Sequence, residues 1–268
     1  MKKIVTFALL LISFLGLPVS GMSGEVLQQI SEKKDIRGMY ERAVDFFTRK
    51  MPGEIERRRN NSVKYIDFIK TIFGEKGIPD EMVYIPFIES GFSPVSVGAG
   101  DTAGLWQFMK CTAVRYGLRI DAYVDERKDP IKSTYAAAEY LRDLHSIFGE
   151  WDIVLAAYNA GEGKIRRIIA KNNADEARLP DVINRYIARL LAVFTIAEEP
   201  EKYGFAPDET TQTDPVTYKE ITTMARITLG KIARLYGTTV IVIKDLNPAL
   251  IGDATPPYHY VIRVPVNY

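Results

Sequence analysis

Glu89 closes an apolar run in Ile88-Glu89-Ser90-Gly91-Phe92. It is followed by Gly104-Leu105-Trp106-Gln107-Phe108 and later by Ala156-Ala157-Tyr158-Asn159-Ala160-Gly161. An acid in the last turn of an apolar helix feels the negative end of the helix dipole. Neighbours such as Ile85, Ile88 and Phe92 would also strip it of water. Both effects favour the neutral acid, so such a carboxyl keeps its proton near neutral pH and can pass it to a leaving oxygen. The carboxylate left behind can accept a second proton, which is enough chemistry to cut a glycosidic bond. The amides and aromatic rings of the two later segments suit hydroxyl and N-acetyl groups and the faces of sugar rings. A structural glutamate at an exposed helix end is the plain alternative, and Tyr158, Tyr186 and Trp106 also have the spacing of core residues.

The elements that must position these groups read as helices. Val63, Ile66, Ile69 and Phe73 recur at helical spacing, and Gly74 and Gly77 end that run. Pro79 and Asp80 open the next element, about Asp80 to Ser90. Its apolar residues cover several sides, which predicts a buried helix kinked at Pro86. A loop rich in Gly, Ser and Ala runs from Gly91 to Gly104. Asp129-Pro130 predicts an N-cap for a helix that carries Ala137, Leu141, Leu144 and Phe148 and stops at Gly149. Asp152 reads as the cap of a short helix to Tyr158, broken at Gly161 and Gly163. Lys164 to Lys171 reads as another helix. The last long helix, about Asp181 to Glu199, shows Ile183, Tyr186 or Ile187, Leu190 and Phe194 on one face, with Pro200 as terminator.

On either side of this region the composition changes. Residues 22–61 are charge-dense, including Glu54 to Arg59, and read as amphipathic helix with its arginines on solvated surface. Residues 206–215, crowded with Pro, Asp and Thr, read as a linker. Beyond them, strand-like Val216 to Thr222, helices near Leu229 to Tyr236 and Val240 to Asn247, and a strand from Tyr260 to Val266 predict a β-α-α-β order.

Composition narrows the function classes. With 268 residues, 47% hydrophobic and 26% charged, the chain can bury one good-sized core and a smaller one. Lys and Arg total 35 against 34 acidic residues, a balance that gives no sign of a nucleic-acid partner. One cysteine, Cys111, and two histidines make a poor ligand set, so no metal or cofactor is indicated. Residues 1–21, with Lys2, Lys3, an apolar run from Ile4 to Leu17 and small residues at Ser20 and Gly21, read as a secretory signal. The run is short of the roughly 20 residues a span requires. An uncleaved segment is the alternative, and would be the one route to membrane association. No cysteine follows the run, which argues against a lipid-modified N-terminus there.

Taken in order, Glu89-Ser90-Gly91-Phe92, Gly104-Leu105-Trp106-Gln107-Phe108 and Ala157-Tyr158-Asn159-Ala160-Gly161-Glu162-Gly163 resemble the motifs of the soluble-type and membrane-bound transglycosylase D-like lytic transglycosylases. The likeness extends from about Ser62 to Phe205 and takes in Asp125 to Pro130 and Tyr186. It implies a mainly α architecture, with a lysozyme-like helical catalytic domain at 62–205. It further implies cleavage of the β-1,4 bond between N-acetylmuramic acid and N-acetylglucosamine in peptidoglycan, ending in a 1,6-anhydromuramic product. Glu89 would be the sole general acid and base, and Ser90, Gln107, Met109, Tyr158, Asn159 and Tyr186 would hold the saccharide. The partner would be peptidoglycan glycan strands, and the location the periplasm or cell envelope. The tail, 216–268, resembles the degenerate LysM-like segment found after such domains, though Arg226-Ile227-Thr228 replaces the usual glycine-aspartate turn. Glycan binding and a structural role both stay open for it.

This chain departs from the pattern at two places. Gly98 stands where many relatives carry a serine, and Lys110 where proline is usual. Two other readings remain open. One is a hydrolytic muramidase or chitinase with Asp101 as second carboxylate, and the other is a non-catalytic peptidoglycan-binding envelope protein.

Overall fold

The computed structural model describes residue 30 and residues 34–171, 179–205 and 217–266; the expected signal at 1–21 and the linker at 206–215 lie outside them. The architecture is mainly helical. Helices α1 (Lys34–Asp45) and α2 (Pro52–Ser62) are joined by a π-helical turn, Phe46–Lys50, and α3 follows at Ile66–Glu75. Ile36, Ala43, Phe47 and Ile55 of this N-terminal part are buried in the same core as the later helices. These side chains set the apolar face of the N-terminal helices against that core.

The stretch expected as one kinked helix is two elements: a 3-10 turn at Asp80–Tyr84 and a short α-helix, α4, at Ile85–Glu89. Pro86 falls in the first turn of α4, where its missing N–H costs nothing, so it starts a helix instead of bending one. A hairpin of two very short antiparallel strands follows, β1 (Thr102–Ala103) and β2 (Phe108–Met109), leading into α5 (Lys110–Arg115).

Asp129 caps α6 (Pro130–Phe148) as its sequence predicts, accepting from the N–H groups of Ile131 and Lys132 at 3.0 Å each. Gly149 ends α6 at φ 76, a conformation glycine adopts without strain. Helices α7 (Trp151–Ala160) and α8 (Glu162–Lys171) follow. The residue before α7 is Glu150, and Asp152 lies inside the first turn, fully buried, which corrects its expected place as the cap. Helix α9 (Asp181–Glu198) runs through the centre of the core. Its Ile183, Ile187, Leu190, Leu191 and Phe194 recur three or four residues apart and are all buried.

The C-terminal part comprises β3 (Tyr218–Thr223), α10 (Leu229–Leu235), α11 (Val240–Leu246) and β4 (Tyr260–Pro265), with β3 and β4 antiparallel from Tyr218 opposite Pro265 to Thr223 opposite Tyr260. Its small core of Leu229, Ile232, Ile243, Ile262 and Val264 is completed by Val124 from the helical part, which bridges to Leu250. A buried ion pair locks the two parts together. Arg263 reaches Asp129 with both terminal nitrogens, at 3.0 and 3.1 Å.

Candidate active site

Glu89 is the last residue of α4. Its side chain is partly buried, and Ile85 and Phe92 beside it are wholly buried. Burial raises its pKa above the ordinary carboxylate value. A hydrogen bond from the Tyr186 hydroxyl to Oε1, at 2.8 Å, opposes part of that rise by stabilising the charged form. With only Ile85–Glu89 in the helix, dehydration rather than the helix dipole carries the effect.

Tyr186 comes from the second turn of α9, 97 residues further along the chain. Burial lifts both Tyr186 and Tyr158 well above the usual phenol range, and the nearby Glu89 charge adds to this. The site therefore presents one titrating acid flanked by two phenols that stay neutral.

The segment Gly104-Leu105-Trp106-Gln107-Phe108 forms the opposite wall, and polar side chains take up its backbone carbonyls one by one. Ser90 Oγ donates to the Leu105 carbonyl at 2.8 Å, tying the wall to the residue after Glu89. Tyr158 Oη donates to the Trp106 carbonyl at 2.8 Å. Gln107 Nε2 donates to the Gly104 carbonyl at 2.8 Å and to that of Ser96 at 3.3 Å, while its Oε1 accepts from Thr102 Oγ1 at 2.8 Å. Gln107 itself sits at φ 49, a left-handed conformation that non-glycine residues adopt at a cost. Trp106 is buried against Phe73, with its Nε1 donating to Thr134 Oγ1 at 3.0 Å, so it packs the core and is no platform for sugar.

Beneath the wall lies Arg127. It donates to the backbone carbonyls of Asp101 and Phe108 and pairs with Asp125 at 2.8 Å. The fit here is close: a Cβ on Gly104, which sits at φ +83, would lie 1.7 Å from the Arg127 carbonyl oxygen. Asp101 has an exposed side chain whose carboxylate lies 3.3 Å from Arg127.

The residues named from sequence thus divide. Glu89, Tyr186, Ser90, Tyr158 and Gln107 are linked through one another or through the wall. Met109, on β2, and Asn159, near the end of α7, are exposed. No signal in the residue pattern marks Thr102 for the role it takes here. Arg127 had one, an arginine set among Asp125, Glu126 and Asp129. Among the described residues no group of three or more His, Cys, Asp or Glu is placed to hold a metal ion.

The helical domain thus sets the partly buried Glu89, bonded by Tyr186, beside a loop that Ser90 ties down. Residues 69–179 match the family described as Transglycosylase SLT domain. The particular relatives are similarly named. The chain is 28% identical over 197 residues to the membrane-bound lytic murein transglycosylase D of Escherichia coli strain K12, and equally to that of strain O6:H1, a match covering 70% of this chain and 43% of each relative. It is 33% identical over 113 residues to the peptidoglycan transglycosylase gp16 of Escherichia phage T7, covering 41% of this chain and 9% of that protein. The chain therefore spans less than half the length of these curated relatives.

Proposed function

We propose that this protein is a peptidoglycan lytic transglycosylase, a carbon–oxygen lyase in which Glu89 serves as both acid and base. The observation that carries the reading is the protonated state burial favours for Glu89, in a carboxyl that Tyr186 holds at 2.8 Å within a transglycosylase SLT domain. Glu89 gives its proton to the glycosidic oxygen leaving C1 of N-acetylmuramic acid, and the C1–O4 bond breaks. The 6-hydroxyl of the same sugar closes on C1, and its proton goes to the Glu89 carboxylate. One C–O bond is lost and one gained, no water is consumed, and the enzyme returns to its starting protonation. Tyr186 stabilises the carboxylate between the two transfers.

Ser90, Gln107 and Tyr158 act chiefly by fixing the wall, while Met109 and Asn159 offer exposed atoms to the glycan. In this reading the helical part has the lysozyme-like arrangement. The LysM-like tail, docked through Arg263, is a fixed flank of that unit, and the protein works in the periplasm or cell envelope after export by its N-terminal segment. Hydrolysis through Asp101 is disfavoured because that carboxylate leans on Arg127 and its side chain is exposed. Mass analysis of the products from purified peptidoglycan tests the reaction. Anhydro ends, lighter by one water than hydrolysed ends, support the lyase, and hydrolysed ends with loss of turnover in Asp101→Asn support the alternative.

A further inference from the structure

The carboxyl that does the chemistry stands on a helix of five residues, Ile85–Glu89, too short to hold its own end in place. Its Pro86 carbonyl accepts from the N–H groups of Ser90 and Phe92 at 3.0 and 3.2 Å, and no further helical turn follows. Two side chains from α2 donate to the backbone on either side of Glu89. Arg58 Nη1 donates to the Phe87 carbonyl, and the guanidinium lies 5.6 Å from the centre of the Phe87 ring. Asn61 Nδ2 donates to the Gly91 carbonyl at 2.9 Å. Glu54 holds Arg58 from its other side, accepting from Nε at 3.0 Å. The packing at Gly91 is tight, since an added Cβ would lie 3.0 Å from the Arg58 side chain.

These contacts grip the backbone two residues before and two residues after Glu89. We infer that Arg58 and Asn61 are positioning residues for Glu89, so that the working catalytic unit begins at α2, ahead of the matched domain at 69–179. The inference rests on Glu89 being the acid and base. Without the two donors the end of α4 frays, Glu89 swings away from Tyr186 and gains water, and the proton transfers lose their geometry.

The test uses the full chain on purified peptidoglycan and compares Arg58→Met, which keeps the apolar stem, with Arg58→Lys, Asn61→Ala and Glu89→Gln, all below their unfolding temperatures. A misplacement of about an ångström costs up to about 100-fold in rate. Arg58→Met is therefore expected to lower kcat about 10- to 100-fold with KM within about twofold. Arg58→Lys should recover part of that loss, and Asn61→Ala should show a smaller fall. The basic limb of the pH profile should move to lower pH in Arg58→Met, as a rehydrated Glu89 returns toward its ordinary value. Wild-type kcat in Arg58→Met and Asn61→Ala, or losses that only follow the folded fraction with no shift of the pH limb, would overturn the inference. Turnover surviving in Glu89→Gln would instead overturn the reading on which it rests.

Discussion

Replacing Glu89 by Gln should make the protein more stable at neutral pH while abolishing turnover. Burial raises the folded-state pKa of Glu89 above the ordinary carboxylate value near 4.5. As pH rises through that value the unfolded chain ionises first, so the native state binds more protons and stability falls. The fall continues until pH passes the raised folded value and then levels off. Glutamine has no such dependence, so its advantage over the wild type should grow from about pH 4 to neutrality. Two opposing contributions set its size. Burying the charge disfavours the carboxylate, while the 2.8 Å bond from Tyr186 to a charged acceptor returns about 1.5–3 kcal/mol. Burial is the larger, since the net pKa is raised. The balance therefore favours the glutamine variant at neutral pH, seen as a higher melting temperature than the wild type's at pH 7 and a smaller difference at pH 4. Turnover should fall by about 10³-fold or more, because each of two proton transfers contributes about 10²–10⁴-fold. Thermal unfolding at pH 4 and pH 7, with product release from peptidoglycan, measures both. A Gln variant less stable at pH 7 than the wild type, or one retaining more than about a hundredth of the activity, would refute the reasoning.

Three further outcomes follow from the same geometry. Tyr186→Phe removes the bond that lowers the Glu89 pKa, so the basic limb of kcat/KM should move to higher pH, with kcat down about 10-fold if the lost bond is worth about 1.4 kcal/mol. Arg263→Met leaves Asp129 buried without its ion partner, which should cost about 3–5 kcal/mol and lower the melting temperature by about 10 °C in calorimetry. Gly98→Ser, which introduces the serine that the family resemblance leads one to expect there, should lower activity and stability. Its Cβ would lie 2.4 Å from Gln107 Oε1 and 2.5 Å from Thr102 Oγ1, an overpacking of about 1–3 kcal/mol. Adding Thr102→Ala should restore part of both in unfolding and product-release measurements.

What was legible in the sequence follows from what local pattern encodes. The Asp129 cap, the Gly149 stop and the buried stripe of α9 depend on residues within a few positions, and they form as those residues dictate. The end of α4 was legible for the same reason, and with it the surroundings of Glu89. Periodicity left Tyr186 and Ile187 equivalent, because both face inward; only packing puts the Tyr186 hydroxyl on a carboxylate 97 residues away. Arg58 was misread for a similar reason. Three arginines beside glutamates are the composition of a solvated face, and the contact that makes Arg58 different, the Phe87 carbonyl, lies 29 residues on. The two-part break at Pro86 was missed because the apolar run continues through it, while a proline in a first turn looks the same in sequence as one inside a helix.

The wall also explains how one acid can suffice. Ser90, Tyr158 and Gln107 have the chemistry of sugar-binding groups, yet each has a hydrogen bond to a carbonyl within Ser96 to Trp106. Those bonds, with Arg127 below and Gly104 pressed onto its backbone, fix the loop through the protein's own groups. Dehydration of Glu89 therefore comes from the protein's own packing. In the proposed reaction a saccharide meets a carboxyl whose burial favours its neutral form and a loop already tied down, so little ordering entropy is lost on binding. What is left for recognition lies on the exposed rim, where Met109 and Asn159 stand. Substitutions there should act first on KM and product pattern, whereas substitutions in the wall should act first on kcat. If Asn159→Ala lowered kcat with KM unchanged, that division of labour would fail.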